Sequence, residues 1–292
     1  MKRWRKERKQ FMNIGIRLHD TKEGNLYERL GFAKAQGFSC AHLAMSKAIR
    51  GFSMADAPKL LTEELAQQVK NDFASQGMEC AVLGCYLNLA NTNEEELHKT
   101  QEIYHAHLRF CRMVGAGVVG TETGPASGVA FAQPAPQSEE AFQLFIDCLR
   151  PIVRWAEEEG AVMAIEPVFC HIISTPERAE RMLQLLPSDN LRIILDAVNL
   201  LSNEDALHAD QVIADAIGRL GDKVSVLHMK DYLMPKPEDE RVKAVACGTG
   251  VMNYDRLLSF AKKNALPMTL EDTRPDNAQA AREYLEKAAA AL

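Results

Sequence analysis

The stretch Ala161-Val162-Met163-Ala164-Ile165-Glu166-Pro167 is a run of apolar residues that ends in a carboxylate and a proline. The run is too short for a helix, and it follows a charged helical stretch that is closed by Gly160. Both features predict a strand that is buried on its two faces. A single glutamate at the end of such a strand is equally compatible with a salt bridge or a helix cap, so its meaning depends on whether the pattern recurs.

Three later apolar runs end in the same way, each before a side chain that can bind a metal: residues 191–195 precede Asp196, 224–227 precede His228, and 266–270 precede Glu271. In a barrel of parallel strands the carboxyl ends share one rim, so these residues and Glu166 are expected to converge there. Two glutamates, an aspartate and a histidine form an oxygen-rich ligand set, which predicts a divalent metal. Mn²⁺ is the expected ion, with Mg²⁺, Co²⁺ or Zn²⁺ as alternatives.

The rest of the chain alternates strands with helices. Further strands are predicted over residues 12–18, 38–43, 79–86 and 118–121, which gives eight strand-then-helix units. Strict alternation is typical of α/β proteins with a parallel sheet, and eight units in about 280 residues favour a closed (β/α)₈ TIM barrel. No Gly-rich phosphate loop follows the first strand, which counts against a nucleotide-binding sheet. A single domain is therefore expected over residues 12–292.

The composition limits the classes of function. The chain has 292 residues, a net charge of −6 and a pI near 5.8, so its overall charge does not favour binding to nucleic acid or to an anionic membrane. Seven cysteines are scattered without a C-x-x-C pair, as expected of reduced thiols in a cytoplasmic protein. Residues 1–11 are a basic N-terminal extension without a signal-peptide core, and translation could start at Met1 or at Met12.

Polar residues also end the strands of the first half of the chain. Glu122 follows the fourth strand and is a candidate for binding sugar hydroxyls or for assisting proton transfer. His42 and His19 end the second and first strands and are candidates for substrate contact. The Gly-, Pro- and Ala-rich segment 123–137 has no helical period, which predicts an active-site loop over the rim, with a surface spacer as the alternative.

Two residues near the predicted ligands are further candidates. His171 lies in a loop just beyond Glu166 that should face the rim, so we expect it to contact substrate or metal, unless its hydrogen bonds stay within the loop. Lys230 lies two residues after His228, where it could pair with a substrate oxygen or with the neighbouring Asp231.

Five short segments together resemble a known family: Ile165-Glu166-Pro167, Ile194-Leu195-Asp196, Leu227-His228-Met229-Lys230-Asp231, Gly248-Thr249-Gly250 and Leu270-Glu271-Asp272. Their order and spacing are similar to those of the sugar phosphate isomerase/epimerase family of xylose isomerase-like TIM barrels, and the resemblance extends along the chain from Met12. This family includes ketose 3-epimerases, hydroxypyruvate isomerases and inosose dehydratases.

The resemblance implies a divalent metal held by Glu166, Asp196, His228 and Glu271. We expect no residues that bind an organic cofactor. It also implies that the two glutamates lie on opposite sides of a bound sugar, where one removes a proton from the carbon next to a carbonyl and the other returns one. The expected function is a metal-dependent isomerase or epimerase of a small keto-sugar or related polyol carbonyl compound, acting through an enediolate. A homo-oligomer is expected by analogy with relatives.

The sequence departs from the epimerase pattern at Asn199, because those enzymes often carry a histidine three residues after the metal-binding aspartate. Asparagine can still hydrogen-bond a substrate oxygen, but it does not titrate near neutral pH. The departure weakens a simple ketose 3-epimerase assignment. A keto-sugar or inosose dehydratase, or a lyase, is the close alternative, since the same residues could support elimination after proton abstraction.

Two other classes of function are compatible with the barrel. A nuclease like the AP endonucleases would share the barrel and use a cluster of metals, but the acidic chain predicts no basic face for phosphate contacts. A barrel that only binds a sugar is the second class. The intact pair Glu166 and Glu271 argues against that loss of catalysis.

Overall fold

Eight parallel strands close into a barrel in the computed structural model, which describes residues 12–128 and 136–292. The strands are β1 (Ile14–Arg17), β2 (Cys40–Ala44), β3 (Glu79–Gly84), β4 (Val118–Glu122), β5 (Met163–Glu166), β6 (Leu191–Asp196), β7 (Val224–Met229) and, after the hairpin strands β8 (Asp231–Leu233) and β9 (Lys243–Val245), β10 (Met268–Leu270). Their order around the barrel is β1-β10-β7-β6-β5-β4-β3-β2. The predicted (β/α)₈ TIM barrel is confirmed.

Helices cover the outside of the barrel. They are α1 (Leu26–Ala35), α2 (Met45–Ala48), α3 (Ala57–Leu60), α4 (Glu63–Ser75), α5 (Glu94–Val114), α6 (Glu139–Glu159), α7 (Pro176–Leu185), α8 (Ala209–Leu220), α9 (Asp255–Asn264) and α10 (Ala278–Ala290). Ser138 caps the first turn of α6, and Gly160 ends that helix in the left-handed conformation, where the sequence predicts its end. Within the described ranges, no helix is long and apolar enough to cross a membrane.

Two regions differ from the sequence prediction. The segment 234–245, predicted to be an irregular polar loop, ends in β9, which pairs antiparallel with β8 to form a small hairpin beside the barrel. The helix predicted from Asp205 begins instead as a 3₁₀ turn, and α8 proper starts at Ala209. The predicted extension 1–11 and the central part of the predicted rim loop, residues 129–135, lie outside the described residues.

The two-residue period of a strand divides the core into two layers. Outward-pointing residues pack against the helices, and a smaller inward cluster fills the barrel with Cys40, Val82, Val118, Ala164, Ile194 and Val226 among its members. Gly120 also faces inward, because a Cβ atom there would lie 2.7 Å from Ile194 Cδ1 and 2.8 Å from Val82 Cγ1. The next inward position on each strand, two residues later, therefore lies at the carboxyl-terminal mouth of the barrel.

Candidate metal centre

The mouth of the barrel is lined by residues that come two positions after inward-pointing core residues. This relation holds for Glu122 after Gly120, Glu166 after Ala164, Asp196 after Ile194, and His228 after Val226. The strand register places these ends side by side, since Glu122 pairs with Glu166 and Asp196 pairs with His228. Glu271 follows β10, whose Thr269 pairs with His228. The barrel thus brings the four predicted ligands together.

His228 lies between two of the other predicted ligands and is almost completely buried. Its Nδ1 atom is 3.0 Å from Glu166 Oε2 and 3.2 Å from Glu271 Oε1. Neither oxygen lies in a hydrogen-bonding direction, and neither ring nitrogen has another hydrogen-bond partner among the described residues. Burial opposes a charge on this ring, but the carboxylates of Glu271 and Glu166 outweigh it and raise the pKa of His228 to about 9.

Asp196 is fixed on one side only. Its Oδ1 atom accepts hydrogen bonds from the backbone N–H groups of Val198, at 2.9 Å, and Asn199, at 3.0 Å. Its Oδ2 atom is buried and lacks a directed hydrogen bond within the part of the chain that the structure describes. Burial raises the pKa of Asp196 to about 6, although the Lys230 ammonium opposes this rise. The geometry leaves Oδ2 as a donor atom for a cation.

Asn199 orients Glu166. Its Nδ2 atom donates to Glu166 Oε1 at 2.6 Å, and its Oδ1 atom accepts from Lys230 Nζ at 3.1 Å. Both polar ends of the amide therefore have partners within the protein. Contact of Asn199 with a substrate oxygen stays a prediction, whereas its hold on the carboxylate of Glu166 is visible in the structure.

Lys230 contacts the carboxylate cluster rather than its neighbour in sequence. Its Nζ atom lies 2.9 Å from Asp196 Oδ2, 3.1 Å from Glu271 Oε2 and 3.7 Å from Asp272 Oδ2. The alternative pairing of Lys230 with Asp231 is wrong. The carboxylate of Asp231 instead accepts hydrogen bonds from the backbone N–H groups of Tyr232, Gly248 and Met252, and so stabilises the hairpin region.

Glu271 is the most strongly compensated carboxylate of the cluster. Burial alone would raise its pKa, but His228, Lys230 and Arg17 together hold that pKa well below the usual range. These cationic neighbours therefore favour the ionised form of Glu271. An ionised, buried carboxylate suits both a metal ligand and a base.

Arg17 is a mouth residue that the sequence analysis missed. Its Nη1 atom lies 3.5 Å from Glu271 Oε2, and its Nε atom donates to Asp20 Oδ2 at 3.0 Å. Arg17 comes two residues after Gly15. Gly15 faces inward, because a Cβ atom there would lie 2.6 Å from the Sγ atom of the inward-pointing Cys40. Counting by two from Gly15 would have found Arg17, whereas the end of the apolar run points to His19.

His42 and Tyr86 form the wall opposite the acidic strands. The His42 ring stacks on the His228 ring, with centroids 5.4 Å apart and an interplanar angle of 16°. Its Nε2 atom lies 3.3 Å from the hydroxyl of Tyr86, a 40% exposed residue that the sequence analysis did not select. Burial first, and His228 second, lower the pKa of His42 well below its usual value, so its ring is neutral.

Glu122 and His171 meet at the edge of the mouth. Glu122 Oε2 lies 3.6 Å from His171 Nδ1, and the two side chains are 38% and 20% exposed. Burial, followed by the carboxylates of Glu166 and Glu271, raises the pKa of Glu122 to about 7. Burial lowers the pKa of His171. Glu122 can therefore gain or lose a proton near neutral pH.

The donor atoms fit a divalent cation. One ligand atom each from Glu166, Asp196 and His228 lie within 4.8 Å of one another, and the same is true of His42, His228 and Glu271. A metal site needs close donors that can lose their protons, and Asp196 Oδ2 and the His228 ring make no directed hydrogen bond among the described residues. An ion that binds here would displace the proton of His228. Because the two groups share His228, one ion is the simplest arrangement that the geometry supports.

The sequence matches the model of one known protein family. The family model of the xylose isomerase-like TIM barrel matches residues 30–288. The chain belongs to this family. The resemblance found in the sequence is thereby confirmed at the level of the family. A search of curated protein sequences finds no match to the chain.

Solved structures with the same fold come from proteins of several activities. The 3-keto-D-glucoside 4-epimerase from E. coli, in its apo form, is 19% identical, with a TM-score of 0.73 over 95% of this chain and 100% of that one. The probable 3-DHS dehydratase of petrobactin synthesis from Bacillus anthracis is 15% identical, with a TM-score of 0.69 over 94% and 97%. The IOLI protein, solved with a zinc atom, is 19% identical, with a TM-score of 0.65 over 96% of each chain. At these identities the likeness shows the fold alone.

Proposed function

We propose that the protein is a divalent-metal-dependent isomerase or epimerase that acts on a small polyhydroxylated carbonyl compound through an enediolate. One observation carries the proposal: Glu166 and Glu271 approach the same nitrogen of His228 from strands separated by β6 and β7. Two buried carboxylates that reach one point from different strands could remove a proton and return one. The epimerase and the zinc-containing protein of the same fold support this class of reaction and of cofactor.

The residues of the mouth would have two roles in such a reaction, metal binding and proton transfer. Glu166, Asp196, His228 and Glu271 would hold the ion, which supplies positive charge that polarises the substrate carbonyl and stabilises the enediolate. Glu166, oriented by Asn199, and Glu271, kept ionised by its cationic neighbours, take and return the proton on the carbon next to that carbonyl.

The substrate that suits this mouth is uncharged. Arg17 and Lys230 are both held by carboxylates, so neither cation is free to bind a phosphate or a carboxylate. Glu122, His171 and Tyr86 instead offer hydrogen-bonding groups at partly exposed positions, which suits sugar hydroxyls. The same charge balance disfavours a nucleic-acid partner. A cytoplasmic location, Mn²⁺ as the ion and a homo-oligomeric state remain our predictions.

A dehydratase acting on the same class of compound is the second candidate. Its support is Glu122, because a carboxyl group with a pKa of about 7 can protonate a leaving hydroxyl near neutral pH. The dehydratase with the same fold is compatible with this reading. Removal of a proton by Glu166 or Glu271 would begin both reactions, so the fate of the leaving group separates them.

The test is incubation of the Mn²⁺-loaded protein in D₂O with a panel of unphosphorylated keto-sugars, 3-keto-glycosides and inososes. We expect deuterium next to a carbonyl, detected by NMR and mass spectrometry, and a fall in its rate of about 10³-fold in Glu271→Gln and in Glu166→Gln. Glu64→Gln, which removes an exposed carboxylate from α4, is the matched control. Loss of water from the product would select the dehydratase. No exchange across the panel, with metal bound, would contradict both candidates.

A further inference from the structure

The position of Lys230 has a consequence for the affinity of the metal centre. We propose that Lys230 is an internal counter-ion that stabilises the metal-free carboxylate cluster and competes with the divalent cation for it. The inference rests on the metal centre of the proposed function and goes beyond it, since it assigns the Lys230 side chain a role that needs no substrate.

The geometry places the ammonium group within the ligand set itself. Lys230 is only 6% exposed, and its Nζ atom lies 2.9 Å from Asp196 Oδ2 and 3.1 Å from Glu271 Oε2. These two residues supply donor atoms to the candidate metal centre. The contact with Asp196 Oδ2 is electrostatic, because this oxygen makes no directed hydrogen bond among the described residues. The ammonium thus balances the charge of this oxygen from 2.9 Å.

The charges of the cluster explain why such a group is needed. Glu166, Asp196 and Glu271 bring three carboxylates into a buried site where water screens them poorly. Without a cation between them, ionised carboxylates at this separation repel one another and destabilise the fold. Arg17 reaches only Glu271, from 3.5 Å. Lys230 contacts two of the three, Asp196 and Glu271, while the His228 ring lies between Glu166 and Glu271.

The same charge works against a divalent ion. An ammonium group next to the donor atoms lowers the negative potential that attracts the ion, so Lys230 weakens metal binding and keeps it reversible. The ammonium also contacts Asn199 Oδ1 at 3.1 Å and Asp272 Oδ2 at 3.7 Å, two oxygens outside the candidate ligand set that could hold it when an ion binds. Lys230 thereby sets the balance between the metal-free and the metal-bound protein.

The main alternative is that Lys230 strengthens metal binding. If Lys230 served to orient Asp196 and Glu271 as ligands, its loss would disorder them and weaken metal binding. The two roles therefore predict changes of opposite sign in the dissociation constant for the ion, and they can be separated without knowledge of the substrate.

The experiment is a calorimetric titration of the metal-free full-length protein with MnCl₂. In Lys230→Gln and Lys230→Met we expect Mn²⁺ to bind at least about tenfold more tightly than in wild type, and the metal-free variants to melt about 5 °C or more below wild type. Lys230→Arg keeps the charge and should bind Mn²⁺ within about threefold of wild type. Lys223→Gln is the matched control, because it removes a lysine from the other end of β7, where Nζ contacts Ser188 and Asp189.

The Mn²⁺ affinities of the neutral Lys230 variants test the counter-ion role. Weaker or unchanged Mn²⁺ binding in both neutral variants would overturn the inference. The variants are produced in medium containing Mn²⁺, because the ion should replace the missing charge; failure of both to fold under these conditions would also overturn it. If wild type binds no Mn²⁺, the proposed metal-dependent function fails, and the role of Lys230 is then supported only if the neutral variants gain binding and is overturned if they do not.

Discussion

The two halves of the barrel mouth differ in burial and charge. The second half, from β5 to β10, contributes Glu166, Asp196, His228 and Glu271, whose side chains are at most 7% exposed and interlock through contacts of about 3 Å. The first half contributes Arg17, Tyr86 and Glu122, which are 22–40% exposed, with His42 as its one fully buried member.

The difference in burial and charge suits the two halves of the mouth to metal binding and to substrate binding. Buried, mutually fixed carboxylates hold an ion and keep reacting groups in place, whereas partly exposed polar groups leave hydrogen bonds for a ligand to complete. The histidines follow the same division, because the pKa of His228 is raised by its carboxylate neighbours while the pKa values of His19 and His42 are lowered by burial. We therefore assign metal binding to the second half and substrate choice to the first.

The largest effect should separate the halves by metal affinity. Glu271→Gln removes a charged donor from the ion, so we expect the affinity for Mn²⁺ to fall about 100-fold, which corresponds to about 3 kcal/mol. Glu122→Gln makes the same chemical change in the first half and should alter the affinity by less than about threefold. Chelator competition measures the Mn²⁺ dissociation constants of both variants. Equal losses of affinity would contradict the assignment of metal binding to the second half of the mouth.

The acid stability of the metal-free protein tests the neutral histidines of the first half. Burial, with Arg17 next in effect, lowers the pKa of His19 to about 4 from 6.5. The unfolded chain then binds the extra proton first, so stability is complete above pH 6.5 and is lost as the pH falls towards 4. His19→Gln should remove about 2 kcal/mol of this loss, less than the full shift because solvent reaches part of the ring.

Urea unfolding at pH 7.5 and pH 4.5 measures the effect of His19. His98→Gln, which changes an exposed histidine on α5, is the control and should leave the pH dependence as in wild type. A pH dependence that is the same in His19→Gln and wild type would mean that the first half is not the neutral region described above.

A smaller effect should come from Asn199, which belongs to the second half without being a ligand. Asn199→Ala removes the 2.6 Å hydrogen bond to Glu166, so the carboxylate loses its orientation. We expect Mn²⁺ affinity and the rate of deuterium exchange each to fall about tenfold, the usual cost of losing a residue that supports a metal ligand. Asn199→Asp replaces the donor by a second carboxylate and should lose at least as much. Unchanged exchange in both variants would show that Glu166 needs no support.

The smallest effect concerns Tyr86. Tyr86→Phe removes a hydroxyl that lies 3.3 Å from His42 Nε2 at the exposed side of the mouth. If this hydroxyl contacts the substrate, KM should rise about fivefold while Mn²⁺ affinity stays within about twofold, since one hydrogen bond contributes about 1 kcal/mol. Steady-state kinetics on the substrate found in the D₂O panel measures it. A change in metal affinity larger than the change in KM would assign Tyr86 to the metal centre instead.

The barrel and the four strand-end residues could be predicted because each rests on a local pattern. An apolar run that stops at a carboxylate or a histidine is visible in the sequence, and parallel strands bring such ends to one rim. Arg17 could not be found in this way, because a long basic side chain in a short first strand does not resemble the end of an apolar run. Tyr86 ends the predicted strand over residues 79–86, but it is neither a carboxylate nor a histidine and was not selected. In the structure it lies two residues beyond the inward-facing Gly84, after β3 has ended.

The partners of the mouth residues could not be predicted from the sequence. Lys230 has an adjacent aspartate in the chain, but the strand turns that carboxylate towards the backbone of the hairpin and leaves the ammonium facing residues from β6 and β10. The hairpin itself was missed because its strands are only three residues long. Such choices depend on which side chains meet across the barrel, a property that no local pattern records.

Equilibrium dialysis of the chelator-treated protein against MnCl₂, followed by metal analysis, tests whether the barrel mouth binds a divalent ion. We predict about one ion per wild-type chain and its loss in Asp196→Asn, because this change removes the charge from a donor atom that makes no directed hydrogen bond. The variant keeps the backbone contacts of the other oxygen, so it should remain folded. A wild-type protein that takes up no ion, or a variant that takes up as much as wild type, would contradict the account.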